Sequence, residues 1–84
     1  MQEPEPASSL DQAESDLRRA LDGATALALR PLAAHCRVGL ARVCVRRGKH
    51  HEARNHLVSA IAMYQAMQMP LWTCRAEEVL AAIG

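Results

Sequence analysis

Residues 46–57 contain the side chains of this sequence that could bind a metal ion or an anion. The stretch reads Arg-Arg-Gly-Lys-His-His-Glu-Ala-Arg-Asn-His-Leu and combines three histidines with several basic side chains. Two histidines can share a zinc ion when they lie four residues apart on a helix. His51 and His56 are five residues apart, so their rings would point about 140° apart around the helix axis. They cannot bind one ion together, and we therefore predict no metal site and no cofactor.

Positive charge is concentrated in the middle of the chain. Residues 30–56 hold seven basic side chains and one acidic one, whereas residues 1–29 hold two and six, and residues 57–84 hold one and two. Such a basic centre can attract an anionic partner, or it can be neutralised by neighbouring helices or a second subunit. A small anion- or nucleic-acid-binding protein is thus the alternative function. The near-neutral total charge and the lack of an aromatic stacking platform disfavour nucleic acid.

Neither an active site nor a membrane segment is indicated. The sequence has no glycine-rich phosphate loop, nucleophile elbow or carboxylate pair with an evident role, so we expect a protein that is not an enzyme. No apolar run approaches a membrane span, and no signal peptide is visible. Cys36 and Cys44 would lie about 12 Å apart along one helix, too far for a disulfide. Together with Cys74 they are best explained as free thiols in the cytoplasm.

The spacing of apolar residues predicts helices throughout. Apolar positions recur every three or four residues, and no segment alternates as a strand would. Pro31 and Pro70 suit the first turn of a helix, and Gly48 suits a helix end. The sequence predicts a flexible lead-in over residues 1–8 and one all-α domain over residues 9–84. Its four antiparallel helices are expected over about residues 9–29, 31–47, 50–68 and 70–83.

The chain also repeats itself. When residues 13–21 are aligned with residues 53–61, Ala13 falls on Ala53, Leu17 on Leu57, Ala20 on Ala60 and Leu21 on Ile61. We call this shift between aligned residue numbers the repeat offset. An offset one position shorter superposes the Pro-Leu pair at residues 31–32 on the pair at residues 70–71. A long helix, a short break, Pro-Leu and another helix therefore occur twice, which is typical of a helical-hairpin solenoid.

Small and large apolar residues around the central turn give the sequence a recognisable pattern. The residues that we expect to pack this repeat are Leu40, Ala41, Cys44, Gly48, Ala53, Leu57 and Ala60. Their spacing resembles a tetratricopeptide repeat, with Cys44 where that family usually has an aromatic side chain. The resemblance covers residues 34–67 as one full repeat, and the first and fourth helices are similar to halves of adjoining repeats. It implies a short right-handed helical-hairpin solenoid.

A further set of residues is similar to the C-terminal repeat arms of bacterial signalling ATPases and adenylate-cyclase-like regulators. This set comprises Gly39-Leu40, Arg47-Gly48-Lys49, Glu52-Ala53-Arg54, His56-Leu57, Ala60, Met63-Tyr64, Met67, Met69, Trp72 and Ala76-Glu77. In those proteins the arm binds other proteins while catalysis takes place elsewhere. The resemblance implies a non-catalytic protein–protein interaction or scaffold module of bacterial signalling, either free-standing or part of a larger regulator.

The family resemblance also suggests where a partner would bind. In that family the first helix of each repeat lines a concave groove, and the matching residues here are His35, Val38, Arg42, Val45 and Arg46. This apolar stripe edged with positive charge suits an acidic peptide, and solvated arginines beside a self-association face explain it equally well. Open solenoid ends favour a homodimer. Its expected interface residues are Trp72, Val79, Leu80 and Ile83, or Leu10 and Leu17.

Overall fold

The computed structural model describes residues 6–83, with side chains from residue 9 onward. Residues 1–5 of the expected lead-in and Gly84 at the end of the expected domain lie outside the described residues. The described chain forms four helices: α1 (Pro6–Ala26), α2 (Arg30–Arg46), α3 (His50–Ala66) and α4 (Pro70–Ile83). It contains no strand between residues 6 and 83. The all-α fold of four helices that the sequence predicts is confirmed.

The three turns between helices share one backbone geometry and recur at equal intervals along the chain. In the second turn, the amide of Lys49 donates to the carbonyl of Cys44, and the amide of Gly48 donates to that of Val45. These two hydrogen bonds define a Schellman motif, which satisfies carbonyl groups left free at a helix end. The corresponding donor and acceptor pairs in the other turns are Leu29 and Ala24, Ala28 and Thr25, Met69 and Tyr64, and Gln68 and Gln65.

Only the second turn has the glycine that this geometry favours. The central residue of each turn is left-handed, with φ of 57° at Ala28, 78° at Gly48 and 56° at Gln68. Because Ala28 and Gln68 carry no glycine signal, the sequence places the ends of α1 and α3 too late, and these helices end at Ala26 and Ala66. At its other end, α1 begins three residues before the expected start, with a proline that suits the first helical position.

The helices pack in chain order, α1 on α2, α2 on α3 and α3 on α4. The three-residue turns make each helix antiparallel to the next. Most of the buried core is alanine, and its largest fully buried side chains are Leu40, Leu57 and Tyr64. Of the residues expected to pack the repeat, Ala41, Cys44, Ala53 and Ala60 are also buried, whereas Gly48 is exposed in the turn. Small side chains therefore set a close spacing between helices.

Gly39 brings α2 close to α1. A β carbon at this position would lie 2.9 Å from Cδ2 of Leu17 and 3.2 Å from its Cδ1. The glycine thus leaves room for the leucine side chain, although a mid-helix glycine costs about 1 kcal/mol relative to alanine. Because Gly39 also lines the concave side of α2, the α1–α2 contact and the shape of that side depend on the same residue.

Candidate functional site

A groove runs along α2 and α4, and two adjoining pockets form it. The first, the aromatic pocket, has a volume of about 340 Å³. It is lined by His35, Val38, Gly39, Arg42, Tyr64, Trp72, Arg75 and Ala76. The second, the aliphatic pocket, has about 280 Å³ and is lined by Arg42, Val45, Arg46, Val79, Ala82 and Ile83. Arg42 belongs to both. The two pockets together are called the α2–α4 groove.

Three rings from three helices form the wall and floor of the aromatic pocket. Nδ1 of His35 on α2 lies 2.6 Å from the hydroxyl oxygen of Tyr64 on α3, and the tautomer of His35 decides which group donates this hydrogen bond. The His35 ring meets Trp72 of α4 edge to face at 4.6 Å between centroids. Tyr64 is 1% exposed, so its hydroxyl needs this partner. The hydrogen bond and the ring contacts fix a preformed apolar surface.

Positive charge borders this apolar surface. The guanidinium carbon of Arg75 lies 5.3 Å from the centre of the Trp72 ring, within the range of a cation–π contact. Arg42 stands between the two pockets, and Arg46 borders the aliphatic one. Among the side chains of residues 9–83, none of these three arginines forms an ion pair. The groove therefore combines apolar pockets with guanidinium groups that are free to bind an anion.

Other parts of the basic centre are neutralised within the chain. Arg47 forms an ion pair with Asp11, and its Nε lies 3.4 Å from a carboxylate oxygen of Glu14. Lys49 lies 4.0 Å from Glu52. Acidic side chains of α1 thus neutralise Arg47. Arg42 and Arg46 at the groove, in contrast, have no ion-pair partner among the side chains of residues 9–83. Neutralisation by a neighbouring helix, one of the two possibilities considered for the basic centre, therefore occurs at Arg47.

Residues that the sequence assigned to two separate surfaces line one groove in the structure. All five expected peptide-binding residues line it from α2, namely His35, Val38, Arg42, Val45 and Arg46. Three of the four residues expected for self-association on α4 line the facing wall, namely Trp72, Val79 and Ile83. The fourth, Leu80, packs against the core instead. Leu17 on α1 is occupied by the contact with α2.

Tyr64 and Arg75 contribute polar groups to the aromatic pocket but were not among the expected site residues. Tyr64 was named only in the resemblance to the bacterial repeat arms, because the sequence gives no sign that its hydroxyl meets a histidine of α2. Arg75 corresponds to His35 only when the turns are superposed, Leu29 on Met69, whereas the offset of the two Pro-Leu pairs places His35 on Cys74. With the turns superposed, the internal repeat thus puts two basic side chains at equivalent places on the two walls.

Burial changes the ionisation of several groups near the core. It raises the pKa of the Cys36 and Cys44 thiols, so both stay protonated and unreactive at neutral pH. It also raises the pKa of the Tyr64 hydroxyl, to which the Cys36 thiol adds a smaller effect. Cys74 is exposed. Over residues 9–83, no three metal-binding side chains come together, and no helix of the described chain is long and apolar enough to span a membrane.

Comparison with known proteins identifies the family. The family model of the tetratricopeptide repeat matches residues 7–66, which include nearly all of α1 and the whole of α2 and α3. No curated protein matches the chain, and no solved structure does. The match covers more than half of the 84 residues and includes the turn, the packing residues and the α2 wall of the groove. The chain belongs to the tetratricopeptide repeat family.

Proposed function

We propose that this chain is a non-catalytic protein–protein interaction module and that its α2–α4 groove binds an acidic peptide segment of a partner. The observation behind this proposal is the aromatic pocket, an apolar surface of His35, Tyr64 and Trp72 with Arg42 and Arg75 beside it. Membership of the tetratricopeptide repeat family supports a binding role, because stacked helical hairpins present surfaces rather than reacting groups.

The size and lining of the aromatic pocket suit one large side chain of a peptide. Its volume of about 340 Å³ is at the lower end of ligand pockets, which are mostly apolar with a few polar groups that orient the ligand. Trp72 is 37% exposed, so part of its ring is open to a ligand. An aromatic side chain can pack edge to face against the exposed part of Trp72, in the arrangement that His35 already has with this ring.

The charges of the groove favour acidic residues next to that side chain. Arg42 and Arg75 lie on the two walls of the aromatic pocket, so a carboxylate beside the anchoring side chain can reach a guanidinium group from either helix. Guanidinium groups bind carboxylates through two parallel hydrogen bonds. Arg46 extends the same charge along the aliphatic pocket. An acidic peptide with an apolar anchor therefore complements the groove in both shape and charge.

The emission of Trp72, the single tryptophan of the chain, can report on binding. We would titrate the protein with the synthetic peptide Glu-Asp-Phe-Asp-Glu and with its uncharged counterpart Gln-Asn-Phe-Asn-Gln. The acidic peptide should change the emission in a saturable way, and the uncharged one should bind at least about tenfold more weakly. Arg42→Ala should cause a similar loss. Arg54→Ala, at an exposed position of α3 outside both pockets, is the matched control and should leave the affinity unchanged.

Equal affinity for both peptides, or equal affinity of the wild type and Arg42→Ala, would contradict the proposal. The salt dependence separates it from the alternative of nucleic-acid binding. Binding through many phosphates should lose about 10³–10⁵ in affinity between 50 and 200 mM salt. A peptide held by two or three arginines and an apolar anchor should lose far less. Arg47 and Lys49 already have acidic neighbours, which leaves fewer basic groups of the central segment for phosphates.

The cellular compartment, the pathway and the oligomeric state of this module are also proposals. The three free cysteines, one of them exposed, suit the reducing cytoplasm. The resemblance to the repeat arms of bacterial signalling regulators suggests that the partner belongs to a signalling pathway. We also retain the homodimer as a proposal, but through the outer side of α4, because most of the residues first expected at its interface form a groove wall.

A further inference from the structure

One side of α4 is not covered by another helix of the described chain. α4 packs on α3 through Ala76, which is 2% exposed. The side opposite Ala76 presents a stripe that covers about 100° of the helix surface. All of its members are exposed, and we call them the α4 stripe: Leu71, Cys74, Arg75, Glu78 and Ala82. Leu71, the large apolar member of the stripe, is 59% exposed.

The internal repeat indicates that a helix can pack on this side. The turns before α2 and α4 lie one repeat offset apart, at Leu29 and Met69, and Ala34 and Ala41 of α2 are fully buried in one cluster with residues of α3. The equivalent positions of α4 hold Cys74 and Ala81, which are also small but exposed. Small side chains allow two helix axes to approach closely. Cys74 in the α4 stripe and Ala81 beside it thus give one edge of the open side the small residues that hold α3 against α2.

The charges of the α4 stripe are complementary to themselves. Arg75 and Glu78 form no ion pair with any other side chain of residues 9–83. In an antiparallel pair of α4 helices related by a twofold axis midway between these residues, Arg75 meets Glu78 of the second copy, and the reverse contact is identical. The same register places Leu71 against Ala82 of the second copy, a large side chain against a small one. A symmetric interface requires this kind of self-complementarity.

We propose that the chain forms an antiparallel homodimer through the α4 stripe, with two symmetric Arg75–Glu78 contacts at its centre. The proposal does not depend on peptide binding in the groove. Trp72, Val79 and Ile83, which the sequence placed at the interface, line the groove instead, and the α4 stripe shares only Arg75 and Ala82 with the groove. Because α4 is also one wall of the groove, the twofold axis would bring the grooves of the two copies side by side.

Charge reversal tests the register of this dimer. We would measure the mass of the full chain by sedimentation over a hundredfold range of concentration, for the wild type and for Arg75→Glu and Glu78→Arg. Each reversal turns both central contacts into like-charge contacts and should weaken the dimer about tenfold or more. An equimolar mixture of the two variants restores opposite charges at both contacts, so it should dimerise as the wild type does. The double variant Arg75→Glu/Glu78→Arg should also dimerise.

Glu77→Arg is the matched control, because Glu77 is exposed and adjacent in sequence but lies about 100° away from Glu78 around the helix. It should leave the dimer unchanged, and circular dichroism should show all variants folded. A wild type that is monomeric over the whole range would overturn the proposal. So would single reversals that dimerise as well as the wild type, or a mixture that stays monomeric, since only the antiparallel register pairs residue 75 with residue 78.

Discussion

Gly48→Ala and Gly23→Ala make the same chemical change at two exposed positions, and we expect them to change the free energy of unfolding in opposite directions. Gly48 has a φ of 78° in the turn after α2, whereas Gly23 lies within α1. A β carbon at either position meets no heavy atom within 4 Å. Any difference between the variants therefore reports the backbone conformation and not a steric contact.

The magnitudes follow from this geometry. At position 48 a side chain in the left-handed conformation costs about 1–2 kcal/mol, and restricting the unfolded chain returns about 0.4–1 kcal/mol. The net loss is about 1 kcal/mol. At position 23 alanine gains about 1 kcal/mol through its higher helix propensity. Since about 1 kcal/mol shifts the melting temperature of a domain of this size by about 4–8 °C, the two variants should melt about 10 °C apart.

Gln68→Gly is the converse test at the turn after α3, where the native residue has a φ of 56°. It should raise the free energy of unfolding by about 0.5–1 kcal/mol, because glycine removes the strain but enlarges the freedom of the unfolded chain. Urea denaturation followed by circular dichroism gives all three values. If both alanine variants shift in the same direction, or if Gln68→Gly is less stable than the wild type, the repeated turn geometry is refuted.

Three other substitutions and one control variant probe the core and its ionisation. Leu57→Ala should lower the free energy of unfolding by about 2–5 kcal/mol in urea denaturation, because Leu57 is 0% exposed, whereas Val58→Ala next to it, at 54%, should change it by less than about 0.5 kcal/mol. Tyr64→Phe should cost about 1 kcal/mol in the same assay through the lost hydrogen bond with His35. His56 has its pKa lowered mainly by burial, so the unfolded chain takes up its proton first as the pH falls. Stability should decline below about pH 6.5, the usual histidine pKa, and His56→Gln should reduce that decline; an unchanged pH profile would contradict this.

The fold could be predicted because its determinants are local. Helical spacing of apolar residues, Pro31 and Pro70 near helix starts and Gly48 at a helix end indicate four helices without knowledge of their contacts. The ends of α1 and α3 could not be placed, because Ala28 and Gln68 adopt the left-handed conformation without being glycine. The hydrogen bonds of the turn impose that conformation, and a non-glycine residue accepts it at a cost that only the folded chain shows.

The candidate site could be predicted in part, because helical periodicity shows which residues share a face but not which faces meet. His35 and Arg42 were placed on one face of α2, and Trp72 was placed on α4, yet their convergence depends on the angle between helices that are not adjacent in the chain. The hydrogen bond between His35 and Tyr64 joins residues 29 positions apart. No spacing rule within a single helix could have indicated it.

The central claim is that the α2–α4 groove is the binding surface of this tetratricopeptide repeat protein. The most direct measurement is a nuclear magnetic resonance titration of the isotope-labelled chain with the acidic peptide Glu-Asp-Phe-Asp-Glu. We expect the signals of the Trp72 indole and of the α2 residues His35 and Arg42 to shift together, with α1 signals such as that of Arg18 unaffected. Shifts concentrated on α1, or no shifts at saturating peptide, would contradict the claim.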